Sequence, residues 1–587
     1  MQMRWNLDDL YAAFDSEEYK RDFARLKAFV AEMAAWADEN LSSADNAAAK
    51  MEAYIEKQAE LSKLEMMLHY ASLVMSVDTN DSMAAKQYDL LCDMYTDLTK
   101  PNVQFQKFVG GLENLDALIA ESPVLAEHAF VLKEMKEQSR FRLSDDVEEA
   151  LAKMSITGGN AWETMRESLT STLMIDVVVK GETRREPLAV VRNMAYDADA
   201  ETRRHAYEAE LGAYPRVDKA VAAALNAVKG EALTQVKLRG YDSPLHMTLA
   251  DSRMERATLD SMMAAIEEYL PSLRRFYTKK AELLGHMKGL PFCDLFAPVG
   301  EVDMRFSYEE AAAFVVKQFT GFSQRLGDYA KNAFDNAWID AESREGKRGG
   351  AFCDNLHAIG QSRIMANFSG SFNDVSTLAH ELGHGFHGEC LKNVSTLNSD
   401  YSMPIAETAS TFCETLIANA AMQTATDAEK VVLLENEITD MTQVVVDIYS
   451  RYLFETRFFA AREEGPLSVE EINALMLEAQ KEAYGDGLDA DCLHPYMWLC
   501  KPHYYSAGMN FYNFPYAYGM LFAKGLYAEY LRTGEAFAAR YEELLEATGS
   551  SSLEDIGKLA GIDVRDKAFW QQSLRQVAEK IDEFCRL

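Results

Sequence analysis

The chain has 587 residues, with 93 acidic side chains against 59 basic ones and a formal charge of −34. That balance excludes the anionic polymers and surfaces that recruit lysine and arginine patches, so neither nucleic acid nor a membrane face is an expected partner. With 48% hydrophobic residues, the composition is that of a folded chain with a large core.

The opening, Met1 to Leu10, has acidic residues by Asp8 and lacks the basic stretch and apolar run of a secretory leader. No apolar run approaches the ~20 residues of a membrane span. The cysteines (Cys92, Cys293, Cys353, Cys390, Cys413, Cys492, Cys500 and Cys585) are scattered, with no Cys-x-x-Cys pair. They read as reduced thiols, so a cytoplasmic protein is expected. Sparse glycine and proline among abundant Ala, Leu, Met, Glu and Lys favour helix over most of the length. Across residues 17–41, Phe23, Leu26, Phe29, Val30 and Met33 recur at three- and four-residue steps, an amphipathic stripe. Residues 51–74, 257–284 and 429–461 read the same way. Strand signals are few. The β-branched run Met174 to Lys180 meets Gly181-Glu182 and then Thr183 to Arg185, which predicts a hairpin near 173–187. A boundary near 190 divides an N-terminal helical lobe, 1–190, from a larger remainder, 191–587. A second extended segment is predicted at 362–368. It follows a basic island, Arg344 to Arg348, that either steers acidic peptides or solvates a loop.

The most informative stretch runs from Asn373 to His387 and contains His380-Glu381-x-x-His384. On a helix the two histidines, four apart, project from one face and can grip a single ion. Glu381 lies at the edge of that site, within reach of a metal-bound water. Asn373 or Asp374 can cap the helix start. A catalytic zinc needs a third protein ligand. The variant with a third histidine is absent, because positions 387 and 390 hold His387 and Cys390. A downstream carboxylate is the other solution. Glu407, 23 residues after His384, allows a loop and a return onto an antiparallel helix. Glu414, two turns later, can accept a histidine's second ring N–H or simply face solvent. His387 reads either as a group supporting the site or as a core histidine. Farther on, residues 501–519 concentrate His503, Tyr504, Tyr505, Tyr512, Tyr516 and Tyr518 among glycine and proline breaks. Phenol and imidazole donors of this kind can stabilise an oxyanion.

Several stretches together resemble one family. They are Trp5 to Tyr11, Gly350-Ala351-Phe352-Cys353, Ala366 to Ser371, Thr377 to His387, Ala406 to Ser410, and Phe511 to Tyr516. The sequence is similar to the thimet oligopeptidase and oligoendopeptidase F family of zinc metallopeptidases, its oligoendopeptidase F branch in particular. The resemblance implies a mainly α, two-lobed helical metallopeptidase with a deep central channel and a few short β-strands near the active site. The catalytic lobe would be 191–587. It implies one zinc per chain held by His380, His384 and Glu407, with Glu381 as general base. It also implies an extended strand around Ala366 and Phe368 that pairs with substrate. The oxyanion donors are expected among His503, Tyr505 and Tyr512. The expected reaction is hydrolysis of internal bonds in short oligopeptides. A zinc carboxypeptidase of similar build is the nearest alternative, and it would require a free substrate C-terminus. A non-catalytic peptide- or metal-binding protein is the other, and the intact Glu381 argues against it.

Overall fold

The computed structural model describes residues 1–300 and 304–587. Helices carry most of the chain, with short strands between them. The first helix, Glu17–Asn40, starts at Ser16, whose hydroxyl accepts the Tyr19 N–H. Tyr19, Leu26, Phe29, Met33 and Ala37 form its buried stripe, and Phe23 and Val30 pack partly buried against the same core. The other predicted helices run over Ala47–Val77 and Arg256–Leu283. Residues 427–464 form one helical run with a π-turn at Gln443–Asp447. Among the described residues no helix is long and apolar enough to cross a membrane.

The chain divides into two compact units, and neither is contiguous. The first comprises Met1–Arg142, Asp303–Ala420 and Glu529–Ile562; the second comprises Leu143–Val302, Ala421–Ala528 and Asp563–Leu587. The expected single cut near 190 is therefore replaced by an interleaved division. The reason lies in the N-terminal core, which is incomplete without later residues. Leu356 and Met365 belong to the same buried cluster as Trp5, Tyr11 and Leu26. The opening strap is also tied to the sheet. Asn6 N–H donates to Ala337 O at 2.7 Å, and Ala341 N–H donates to Met3 O at 2.8 Å. The buried Arg363 guanidinium donates to Asn6 O at 2.9 Å and to Asp9 at 3.2 Å.

The sheet of the first unit has Gln361–Phe368 at its centre. Ile339–Glu342 pairs with it in parallel, and Phe352–Leu356 pairs antiparallel. The segment around Ala366 and Phe368, expected to receive a substrate strand, therefore already has one partner strand from the chain itself. Met365 faces Asp340 on one side and Phe352 on the other, and Phe368 is paired with Glu342. Beyond Phe352 the loop covers the strand end: Lys347 Nζ donates to Ala366 O at 2.6 Å, and Asn367 Nδ2 donates to Arg348 O and Gly350 O. From Gln361 to Met365 the edge strand occupies one side of the central strand, and the outer side of Phe352–Leu356 is left without a strand partner among the described residues.

Most of the basic island is also accounted for. Arg344 makes a two-pronged pair with the buried Asp340 at 2.7 and 3.0 Å. The Lys347 side chain is fully buried and donates to Asp340 Oδ1 at 2.7 Å. Both are anchors for the irregular pairing between the first and central strands, not a solvated loop.

The second unit contains the hairpin, Met174–Val179 against Glu182–Pro187. It turns at Lys180 and Gly181, both at positive φ, the two-residue turn that matches strand twist. Ile175, Val177 and Val179 point into a core shared with Tyr214, Leu225, Phe454, Trp498 and Tyr505.

Candidate metal centre

The motif helix is Phe372–Leu391. Its N-cap is Ser371, two to three residues earlier than the expected Asn373 or Asp374. Ser371 Oγ accepts from Asp374 N at 3.2 Å, and Asp374 Oδ2 accepts from Ser371 N at 3.0 Å, a closed capping box. Asp374 also accepts from the Ser369 N–H and hydroxyl. Burial works against that carboxylate, but these three donors outweigh it and hold Asp374 below its usual range.

The helix places His380 and His384 on one face, with their Nε2 atoms 3.1 Å apart. Glu407 caps the short helix Met403–Ala406 and immediately precedes Thr408–Thr424. Its Oε2 lies 3.3 Å from His380 Nε2 and 3.4 Å from His384 Nε2, and it accepts from Ser410 Oγ at 2.9 Å. Among the described residues this is the one His/Cys/carboxylate group of three whose donor atoms converge for a metal. A tetrahedral zinc with bonds of about 2.0–2.1 Å has ligand-to-ligand edges of about 3.3–3.4 Å. The two edges to Glu407 match that triangle, the edge between the histidines is shorter at 3.1 Å, and a two-nitrogen, one-oxygen donor set suits zinc. Without a cation, burial disfavours the His380 imidazolium, but Glu407 and Glu414 outweigh burial and hold it at about 10. Burial likewise opposes the Glu407 carboxylate, and the two histidines hold it far below its usual range.

Glu414 stands one step farther out. Its Oε1 is 3.2 Å from His380 Nδ1, so it accepts that N–H and leaves Nε2 directed at Glu407 and His384. Glu381 is 6% exposed, and burial raises its proton affinity against the opposing charge of the two histidines. His387 is fully buried. Its ring stacks on Tyr401 with centroids 4.1 Å apart, and its Nε2 meets Thr548 Oγ1 at 2.7 Å. Burial drives it down to about 3, so it is a neutral core histidine.

Three contacts were not legible in the motif. Asn355 Nδ2 donates to His384 O at 3.1 Å, tying the edge strand to the helix. Cys353 is half-buried close to Glu381, and both desolvation and that carboxylate hold its thiol above the usual range. The third is Gly383. A Cβ there would lie 2.6 Å from Ser410 Cα and 2.7 Å from Ala409 O. Those are backbone atoms, so the glycine sets how closely the motif helix approaches the segment carrying Glu407. Gly383→Ala is expected to cost about 1–3 kcal/mol of stability. It should also release metal faster in dialysis against chelator. Unchanged urea midpoint and metal retention would show that the approach is not tight.

The expected oxyanion donors lie in the second unit. His503 and Tyr512 form a stacked pair with centroids 5.4 Å apart. Burial, helped by Arg451, Lys501 and Arg166, lowers His503 to about 4, so its ring is neutral near pH 7. Tyr505 differs from expectation. It is 1% exposed, its hydroxyl donates to Trp498 O at 3.0 Å, and the Arg166 guanidinium lies over its ring. That hydroxyl is spent inside the core.

Comparison with known proteins gives a consistent picture. A family model described as Peptidase family M3 matches residues 193–576, and one described as Oligopeptidase F matches 111–174. The chain is 23% identical to Oligopeptidase PepF of Bacillus subtilis over 592 residues, covering 99% of this chain and 87% of that protein. It is 24% identical to Group B oligopeptidase PepB of Streptococcus agalactiae, covering 91% of this chain and 89% of that one. Among solved structures, a putative peptidase from Chlamydophila abortus superposes with a TM-score of 0.83 at 20% identity, over 99% of this chain and 98% of that one. Oligoendopeptidase-F from Enterococcus faecium superposes at 0.70 and 18% identity, over 96% and 98%.

Proposed function

The chain belongs to peptidase family M3, and from that premise we propose that it is a zinc-dependent endopeptidase acting on short peptides. The observation that carries this reading is the triangle of His380, His384 and Glu407 donor atoms, with the buried Glu381 beside it. His380, His384 and Glu407 would hold the zinc. When bound, zinc supplies Lewis acidity, lowering the pKa of a water toward ~7 and polarising a carbonyl.

The remaining work falls to side chains. Glu381 takes the proton from the attacking water and passes it to the leaving amine. Its burial favours the protonated form, which suits a group that must hold that proton between the two events. Glu414 keeps His380 in the tautomer that frees Nε2. The edge strand Phe352–Leu356 offers backbone donors and acceptors to an extended peptide, which recognises main chain rather than sequence. Asn355 and Cys353 support its placement against the motif helix.

We assign the oxyanion donors to the His503–Tyr512 pair and leave Tyr505 to packing. Tyr512→Phe and His503→Ala are each expected to lower kcat by about 10²–10³ with KM little changed. A rate within a factor of two of wild type in both would remove the pair from the mechanism.

The test of the whole reading is a ladder of peptides of increasing length, incubated with the zinc-loaded protein and analysed by mass. Internal cleavage, loss of activity with chelator and recovery on adding zinc are expected. C-terminally amidated peptides should also be cut. Removal of C-terminal residues alone, with amidated peptides left intact, would establish the carboxypeptidase alternative instead.

A further inference from the structure

Beside the edge strand lies a cavity of about 310 Å³, within the range of small ligand pockets. Its lining comes from the helix Ala47–Val77 (Leu68, His69 and Ser72 among others), from Tyr88, and from Arg348, Phe352 and Asp354. The charges in it can be balanced one by one. Asp354 has both carboxylate oxygens 2.9 Å from His69 Nδ1, so the one acid of the lining is already matched. Burial disfavours a charged His69, but Asp354 outweighs it and keeps the imidazole protonated more readily than usual. Arg348 is different. Arg344 and Lys347 are consumed by Asp340, yet no carboxylate pairs with the Arg348 guanidinium among the described residues.

The backbone around Arg348 is fixed even though its side chain is exposed. Arg348 N–H donates to Ser76 O at 3.0 Å, its carbonyl accepts from Asn367, and Thr79 N–H donates to Gly346 O at 2.7 Å. An uncompensated guanidinium is thus held at the cavity in a chain whose net charge is −34. His69 and Tyr88 line the cavity beside it, and no lining acid remains unmatched.

We propose that this cavity is a specificity subsite that takes a carboxylate of the bound peptide, with Arg348 as the residue that reads it. The proposal rests on the reading of Phe352–Leu356 as the strand that pairs with substrate. A peptide lying along that edge sends alternate side chains to opposite faces of the sheet. Phe352 and Asp354 share the face that opens on the cavity, whose lining also takes in Cys353; Asn355 reaches the motif helix from the other face. A glutamate or aspartate side chain could supply the carboxylate, as could the free C-terminus of a short peptide. Guanidinium recognises either by the same paired hydrogen bonds.

The test uses one parent peptide in three series. In the first, glutamate replaces glutamine at each position in turn. In the second, the C-terminus is a free acid or an amide. In the third, each backbone nitrogen is methylated in turn. For wild-type protein, kcat/KM should favour the carboxylate form at one site by about three- to tenfold, the range of a partly exposed charged contact. A preference in the first series identifies a side chain, and one in the second identifies the terminus. In Arg348→Ala the ratio should fall to near one; Arg348→Lys should restore part of it, and Arg348→Glu should favour a lysine-substituted peptide. A flat ratio in wild type in both series, or a ratio that survives Arg348→Ala, overturns the subsite. The methylation series separates this from its premise. Losses at alternate nitrogens with a flat glutamate ratio leave the strand reading intact and discard the subsite. No loss at any nitrogen discards the strand reading itself.

Discussion

Glu381→Gln is expected to bind as much zinc as the wild-type protein and to cleave peptides at least about a thousandfold more slowly. Glutamine has nearly the shape of glutamate, so the buried site, 6% exposed, keeps its packing. The three atoms that converge on the metal position belong to His380, His384 and Glu407, and none of them is altered. What disappears is the negative charge and, with it, the capacity to accept and return a proton. Glu381→Asp withdraws the carboxylate by one methylene and should fall between the two. His384→Ala is the complementary control: it removes a ligand atom, so metal content and activity should fall together. A Glu381→Gln protein that cuts peptides near the wild-type rate would end the general-base assignment. One that loses zinc would instead show that Glu381 supports the ligands.

The parts of this centre that could be read in advance are those fixed by covalent arithmetic. A four-residue step on a helix sets two imidazoles side by side, and the observed 3.1 Å between their Nε2 atoms is that geometry realised. The seven residues from Glu407 to Glu414 are two helical turns, which is why both carboxylates reach opposite nitrogens of His380. The helix start was missed by two to three residues, although Ser371-x-x-Asp374 carries the capping-box spacing. Strand order was beyond such arithmetic. Residues 361–368 read as extended, but their central position depends on residues 339–342 arriving in parallel from earlier in the chain. The same limit hid the interleaved units, since Met365 and Leu356 complete a core begun by Trp5 and Tyr11. Composition also misdirects. Tyr505 and Tyr512 are alike as letters, yet only the structure shows the Tyr505 hydroxyl spent on Trp498 O. The basic island was a cluster of three cations in sequence, and in space it separates into two anchors held by Asp340 and one guanidinium with no carboxylate partner among the described residues.

Glu210→Gln is expected to lower stability at pH 7 by about 3 kcal/mol, with the loss fading as the solution is acidified. Glu210 is buried in the second unit, where its carboxylate meets Arg192, the Tyr214 hydroxyl and, at 3.2 Å, His494 Nε2. Burial alone would raise its pKa; His494, Arg192 and Tyr214 outweigh burial and bring it down to about 2, against an ordinary value of 4.5. A carboxylate whose folded pKa is depressed binds fewer protons than its unfolded counterpart between those two values. Its contribution is therefore complete above about pH 4.5 and is lost as pH falls toward about 2. That gap corresponds to about 3 kcal/mol. Removing the charge also leaves the Arg192 guanidinium facing a neutral amide in a buried site, which adds to the cost. Urea unfolding of both proteins from pH 7 down to pH 2 checks the sign directly. The wild-type advantage should hold from pH 7 to about 4.5 and then shrink as protons take over the role of the substitution. An advantage that stays constant across that range would mean that glutamine disturbs packing, and that the charge of Glu210 contributes nothing specific to the fold.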